Sequence, residues 1–399
     1  MSVSLPKIDR CRLTNEPLDS LDILFELDDC PLPGIYAPSA SESETMSGTF
    51  TVVRSRTTSF VQMLQTYDPS VYLDYGFAAG AVTGFSRHLE WAASLIAERF
   101  PQNSNVLEVG CGDGAILDLL KQHGFEHVNG IDPSLASLQQ DRPWVHKGFF
   151  PQDLPSGLLS QTFDLILSRH VLEHIETPVA FLAAAAERLS DNGELWIEVP
   201  DLRSTVKHSL WTNFYQLHCN YFSARTLDEA ARLAGLERIS ASTVDVFGGS
   251  LFHRYQRGLS DRTKTGSEFA TLSTSFDQYS LGLNDLVERL PLGTIGYGVG
   301  DRTTTFLGIA PSLRTVLRGI YDQNPNIVGR FLSGTRLRIE HTSLISDCKP
   351  PCIVVFPILH LPAILSSLAS IVPPETLVAV PDKTLEITSL GNHLRRLQL

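Results

Sequence analysis

Two stretches of this 399-residue chain carry residue types that do chemistry. The first, FYQLHCNYFS at 214–223, sets His218 among Tyr215, Tyr221 and Cys219. A neutral imidazole, with an ordinary pKa of about 6.5, takes a proton near neutral pH, and phenol hydroxyls beside it can donate to an oxygen on which charge develops. The same ring among aromatics can equally be a packed, hydrogen-bonded core group. The second stretch, VLEVGCGDGAILDLL, puts Gly110, Gly112 and Gly114 in a GxGxG turn between an apolar run and a helical one, with Glu108 two residues ahead. Such glycines let backbone pass close to a nucleotide, and alone they would serve a dinucleotide as readily as any other.

Three further features narrow the ligand. Asp132 ends the next strand, VNGID, where a carboxylate can accept both hydroxyls of an adenosine ribose. Phe149 and Phe150 follow, placed to cover an adenine face, and in FDLILSRHVLEHI a strand ends at polar Arg169 and His170. The turn also lacks the third glycine that lets a helix approach a pyrophosphate.

These residues need a scaffold that holds strand ends together, and the surrounding pattern supplies one. Apolar runs alternate with helical ones from Asn105 onward: VLEVG, VNGID, FDLILS and ELWIEV read as strands, while AILDLLKQH and PVAFLAAAAERLS read as helices, the latter ended by Asp-Asn-Gly. Crossovers of that length imply parallel strands in a doubly wound α/β sheet. A second series, GTIGYGVG, LRGIYD, CIVVFP and TLVAVP, follows a helical segment near 266–289. The chain thus divides into a loop-rich N-terminal module (1–67), a central domain (68–265) and a second Rossmann-like domain (266–399).

Composition excludes some partners. A net charge of −12, from 44 acidic and 32 basic side chains, repels nucleic acid and anionic lipid. No apolar run reaches the roughly 18 residues of a membrane span, and MSVSLPKIDR has no signal-peptide core, so a soluble cytoplasmic protein acting on a small molecule is expected. Six scattered cysteines form no CxxC pair and imply neither a disulfide framework nor an intact zinc knuckle.

In combination, Glu108, the glycine turn, Asp132 and the aromatic pair resemble the class I S-adenosylmethionine-dependent methyltransferases. The resemblance implies that Glu108 and the 110–114 loop hold the methionyl end, that Asp132 binds the ribose, that Phe149 or Phe150 covers adenine, and that Tyr75 and Arg169 complete the pocket. Over nearly the whole chain, the order of VRSRTTSFVQMLQ, HCNYFS, VFGGSL, GTIGYGVGDRTTTFLG and YDQNPNIVGRFLSGT resembles the sugar-nucleotide C-methyltransferases of deoxysugar biosynthesis. That family implies a base that removes a proton beside a ketone, here His218, with Tyr215 and Tyr221 donating to the oxygen and His170 as a further pocket candidate. His174 is read as structural.

The departures are as informative. Thr14, Ser55 and Thr58 stand with Cys11 where the family places four zinc-binding cysteines, and one thiolate with three hydroxyls cannot close a tetrahedral site, so no zinc is expected. Leu13, Phe60, Val61 and Leu64 must then hold the module by packing. The family's His-Glu-His run is replaced by Gln216, Leu217 and His218, and its later histidine by Phe247. O- or N-methyl transfer and cofactor binding without turnover stay open. In the C-terminal domain, Gly296, Gly298 and Gly300 with Arg302 could meet a phosphate or merely let a strand and helix pack.

Overall fold

The computed structural model describes residues 6–66, 83–134, 142–258 and 268–398. The run NVLEV is apolar on both faces, so a strand made from it must be covered on both sides. It lies in the middle of a seven-stranded sheet, with Val106 and Leu107 fully buried. Taken in chain order, the strands are Asn105–Val109, His127–Asp132, Val145–Lys147, Phe163–Arg169, Leu189–Pro200, Leu236–Val244 and Ser250–Arg257, and they lie side by side as 3-2-1-4-5-7-6. The seventh runs against its neighbours, and the others run parallel. The order reverses between the first and fourth strands, and the crevice beyond their carboxyl ends, at Val109 and Arg169, is where such sheets bind ligands.

One expected boundary moves. The helix over PVAFLAAAAE ends at Glu187, and Leu189 already begins the next strand, which runs through Asn192 and Gly193. Gly193 packs against the backbone of Phe163, where a Cβ would come within 2.6 Å of the carbonyl oxygen. The glycine therefore marks an irregularity in the pairing of the two strands rather than a helix stop. The last two strands form a hairpin turning at Gly248 and Gly249, and its polar first strand carries too weak an alternation to be legible in the sequence.

The C-terminal sheet repeats the design with six strands in the order 3-2-1-4-5-6, the last antiparallel. Its glycine loop is pinned as the central one is. Val299 N donates to Asp322 at 2.7 Å, just as Gly112 N donates to Asp132 at 2.8 Å.

The N-terminal strands Leu21–Pro31, Ser47–Ser55 and Val61–Met63 form an antiparallel sheet whose fourth strand is Asn220–Tyr221, with Val61 opposite Tyr221 and Gln62 opposite Asn220. The stretch FYQLHCNYFS is thus part of a sheet begun more than 150 residues earlier. Phe25 stacks on Phe276 of the C-terminal domain (ring centroids 3.9 Å apart) and meets Phe214 edge-on at 5.3 Å, so one aromatic cluster joins all three parts of the chain. Pairs of this kind contribute about 0.5–1.5 kcal/mol beyond the area they bury. Tyr36–Ala37 also pairs with Phe331–Leu332 across the same junction.

At the zinc-like corner, hydroxyls make local bonds. Ser55 accepts from the N–H groups of Thr57 (3.2 Å) and Thr58 (3.1 Å) and donates to Glu16 (3.1 Å), while Thr58 accepts from Phe60 N at 3.2 Å. Cys11, Leu13, Phe60 and Leu64 are buried together in one core, whereas Val61 points into the other.

Candidate cofactor and acceptor site

The glycine turn shows why other residues are excluded from it. Gly110 has φ +77°, and a Cβ there would meet Val171 at 2.1 Å. Gly110 N donates to Ile131 O (2.8 Å), which draws the loop over the end of the second strand. There the Asp132 carboxylate accepts from Gly112 N and Ser134 N, both at 2.8 Å. The loop, Asp132, Phe149, Phe150, Arg169, His170, His174 and Phe247 line one cavity of about 200 Å³. A second cavity of about 570 Å³ shares Phe149, Phe150 and His174 with it and extends to Gln65 and Gln216.

Glu108 lies under the loop, 1% exposed, with one oxygen 2.8 Å from Arg169 and the other without a hydrogen-bond partner. Burial raises its carboxyl above the ordinary range, against the pull of Arg169, and the negative charges of Asp132 and Asp113 push the same way. An ammonium group arriving here would relieve that cost. Orphaned Glu108 oxygen, pinned Asp132 and a cradle that any Cβ would fill together fit S-adenosylmethionine. Tyr75, with Tyr72 and Phe77, lies outside the described residues.

His170 proves to be a charge holder. Its backbone sits at φ +54°, a region where side chains other than glycine's are uncommon and where strain often marks function. Nε2 meets Glu198 at 3.1 Å and Nδ1 meets Glu173 at 3.4 Å. Burial alone would push the ring's pKa down, but the two carboxylates lift it to about 9. Burial likewise opposes ionisation of Glu198, yet hydrogen bonds from His170 and His88 hold it far below the usual carboxylate range. With a folded pKa above the free value of 6.5, the stability His170 adds is complete below about pH 6.5 and is lost as pH rises through 9. Unfolding free energies from urea titrations between pH 6 and 10 are expected to fall by on the order of 3 kcal/mol more in the unsubstituted protein than in His170→Gln.

His218 is 7% exposed and stands behind the wall of the first cavity, with the ring of His174 between them at 4.8 Å, edge-on. Its Nε2 accepts from the hydroxyl of Tyr215 at 2.6 Å. Burial, then the nearby charges of His174, Arg302 and His170, hold its pKa well below the ordinary value, against a hydrogen bond to the backbone of Asn213. The Tyr215 hydroxyl contacts this ring where the sequence shows no carboxylate beside it. Thr305, on the helix Asp301–Ile309 that follows the C-terminal glycine loop, donates to Phe214 O at 3.3 Å and sets that helix against this stretch. Nδ1 of His174 is tied to Leu217 O at 2.9 Å. Tyr221 lies 6.4 Å from His218, ring to ring, and lines a small void with it. Thus Gly110, Gly112, Asp132, Phe149, Phe150, Arg169 and His170 line the first cavity, Glu108 lies beneath it on Arg169, Gly114 (φ +76°) sits at the head of the following helix, and Tyr215, Tyr221 and His218 form a second layer. His174 bridges the two. Glu198, Glu173, His88 and Asn213 were missed, although a charged residue inside ELWIEV was a visible sign.

Comparisons with known proteins agree with this geometry. Residues 86–241 match the family described as a methyltransferase domain. The C-methyltransferase NovU of Streptomyces niveus is 26% identical over 261 residues, covering 61% of this chain and 60% of that protein. A tRNA U34 carboxymethyltransferase of Pseudoalteromonas translucida is 37% identical over 101 residues, 23% of this chain and 31% of its own. The chain therefore spans less than two thirds of the length of either relative. Among solved structures, the CcbJ methyltransferase of Streptomyces caelestis aligns over 48% of this chain and 100% of its own, at 17% identity and a TM-score of 0.38. Among the described residues, no helix is long and apolar enough to cross a membrane. Sheet order, glycine turn, pinned Asp132 and the family match together make residues 86–241 a class I S-adenosylmethionine-dependent methyltransferase domain.

Proposed function

We propose that this chain methylates an acidic carbon of a small ketone-bearing molecule, of the nucleoside-diphosphate ketosugar class. The observation that carries the reading is the layered cluster at the cofactor cavity: His174 in the wall, His218 behind it, and Tyr215 bonded to His218 at 2.6 Å. Bound beside this cluster, S-adenosylmethionine supplies an electrophilic methyl group on a sulfonium. Glu108 and Arg169 orient its methionyl end, Asp132 takes the ribose and Phe149 with Phe150 excludes water from the base. A proton next to a ketone is too weakly acidic for imidazole unless the oxygen is stabilised as charge develops. The His174–His218 pair accepts that proton, and Tyr215 turns its hydroxyl from Nε2 of His218 to the nascent enolate oxygen.

A diphosphate is supported by the C-terminal domain. Its glycine loop and Asp322 reproduce the pinned nucleotide turn of the central domain, and Arg302 lies close enough to act on His218. The resemblance to NovU points the same way. The tRNA-modifying relatives cover less of the chain, and the −12 net charge opposes an RNA backbone.

Incubation with S-adenosylmethionine and a nucleoside-diphosphate ketosugar in D2O is the direct test. One carbon-bound methyl group and solvent deuterium at the same carbon of unreacted sugar are expected by mass spectrometry and NMR. Methylation of a hydroxyl or amine instead would move the reaction off carbon. Cofactor binding without turnover on any acceptor would mark a binding protein.

A further inference from the structure

Beside the His174 ring lies a carboxylate that the chemistry above leaves unused. Glu173 is 1% exposed, neither of its carboxylate oxygens makes a hydrogen bond, and it faces Nδ1 of His170 at 3.4 Å. Its turn is sewn to the reactive stretch: Cys219 N donates to Glu173 O at 2.9 Å, and the Asn220 side chain donates to Leu172 O (3.0 Å) and Ile175 O (2.7 Å). Ligand atoms of Glu173, His174 and His218 all lie within 4.8 Å of one another. Groups this close interact strongly when charged.

We propose that Glu173 is a positioning residue that stabilises the imidazolium formed when the His174–His218 pair takes the acceptor's proton. The inference rests on the proton-transfer reading above. In the step it serves, one proton passes from the acceptor carbon to a ring nitrogen and the bonding pair stays on the acceptor as an enolate, with no change of oxidation state. A buried imidazolium needs an anion in contact. The groups that act on His218 from the wall, the C-terminal loop and the neighbouring strand end are His174, Arg302 and His170, and all three oppose protonation. Glu198 is committed to His170 and to His88, on the helix Thr83–Arg99. From the reactive stretch, Tyr215 is a neutral phenol and burial pushes the Cys219 thiol up to about 11, so neither supplies a negative charge. Glu173 meets His170 at 3.4 Å through one oxygen, and its second oxygen is left for the pair.

The test follows the His174 ring by NMR in full-length protein carrying ¹³C-labelled histidine, with the signal assigned by its loss in His174→Gln. Glu173→Gln is expected to lower the titration midpoint by about one pH unit or more, and Glu173→Asp to keep it near that of the unsubstituted protein. His170→Gln is expected to raise it, because Glu173 would no longer share its charge. If Glu173→Gln does not fold, the midpoint is read in the double variant Glu173→Gln/His170→Gln against His170→Gln, where a fall carries the test. An unmoved midpoint, or shifts of the same sign in Glu173→Gln and His170→Gln, would overturn the proposal, as would a stoichiometric divalent metal whose removal by EDTA shifts this signal. Should the ketosugar go unmethylated while the shifts occur, the acceptor assignment fails and the role of Glu173 stands.

Discussion

Asp132→Asn is expected to weaken binding of S-adenosylhomocysteine by at least about 100-fold in calorimetry. The carboxylate accepts two backbone N–H groups of the loop and its rim, and in the proposed function it also takes the two ribose hydroxyls. An amide has one acceptor oxygen, so one loop contact and one ribose contact are lost or inverted. At roughly 1.5–3 kcal/mol for each hydrogen bond to a charged group, two such losses correspond to two orders of magnitude or more. Binding unchanged from the parent protein would remove the nucleoside from this pocket, and tight binding of NAD in its place would reassign the whole turn.

The second large effect concerns His218. His218→Asn is expected to lower kcat by about 100-fold or more while leaving the KM for S-adenosylmethionine within about threefold, because the ring stands behind the cofactor cavity rather than in its wall. Its depressed pKa keeps the ring neutral through the physiological range, so in the parent protein this group causes no loss of kcat as pH falls from 8 to 6. A variant with near-parent turnover would return the ring to the core.

That core reading has real weight, since all ten residues of FYQLHCNYFS are buried. The stretch does two things at once. Phe214 and Phe222 fill cores, while Tyr215 and His218 face each other across 2.6 Å. Spacing alone could not separate these roles, because a strand two residues long leaves no periodicity to read.

The parts of the molecule legible in the sequence are those where one residue type is physically required. Glycines at positive φ, a carboxylate ending a strand and uninterrupted apolar runs each have few alternatives, and they disclosed both Rossmann-like layers and the cofactor turn. His170 illustrates the limit. Its place at a strand end marked it as a pocket residue, but its charge is balanced by Glu173, three residues on, and by Glu198, on the next strand. Charge pairing across a sheet follows from register, which no local pattern encodes. The sequence reads His174 as structural for the same reason, since its neighbour His218 reaches it from the distant loop before Asn220–Tyr221.

The short strand Asn220–Tyr221 has a consequence for how this protein can vary. Because the reactive stretch is hydrogen-bonded to Val61–Met63 and its Phe214 packs on Phe25, the amino-terminal segment is a structural wall of the catalytic layer. Excising residues 83–258 as a minimal enzyme would strip that wall and wet the aromatic cluster. Exchange of parts with related enzymes can therefore succeed only when head and centre are inherited as one piece.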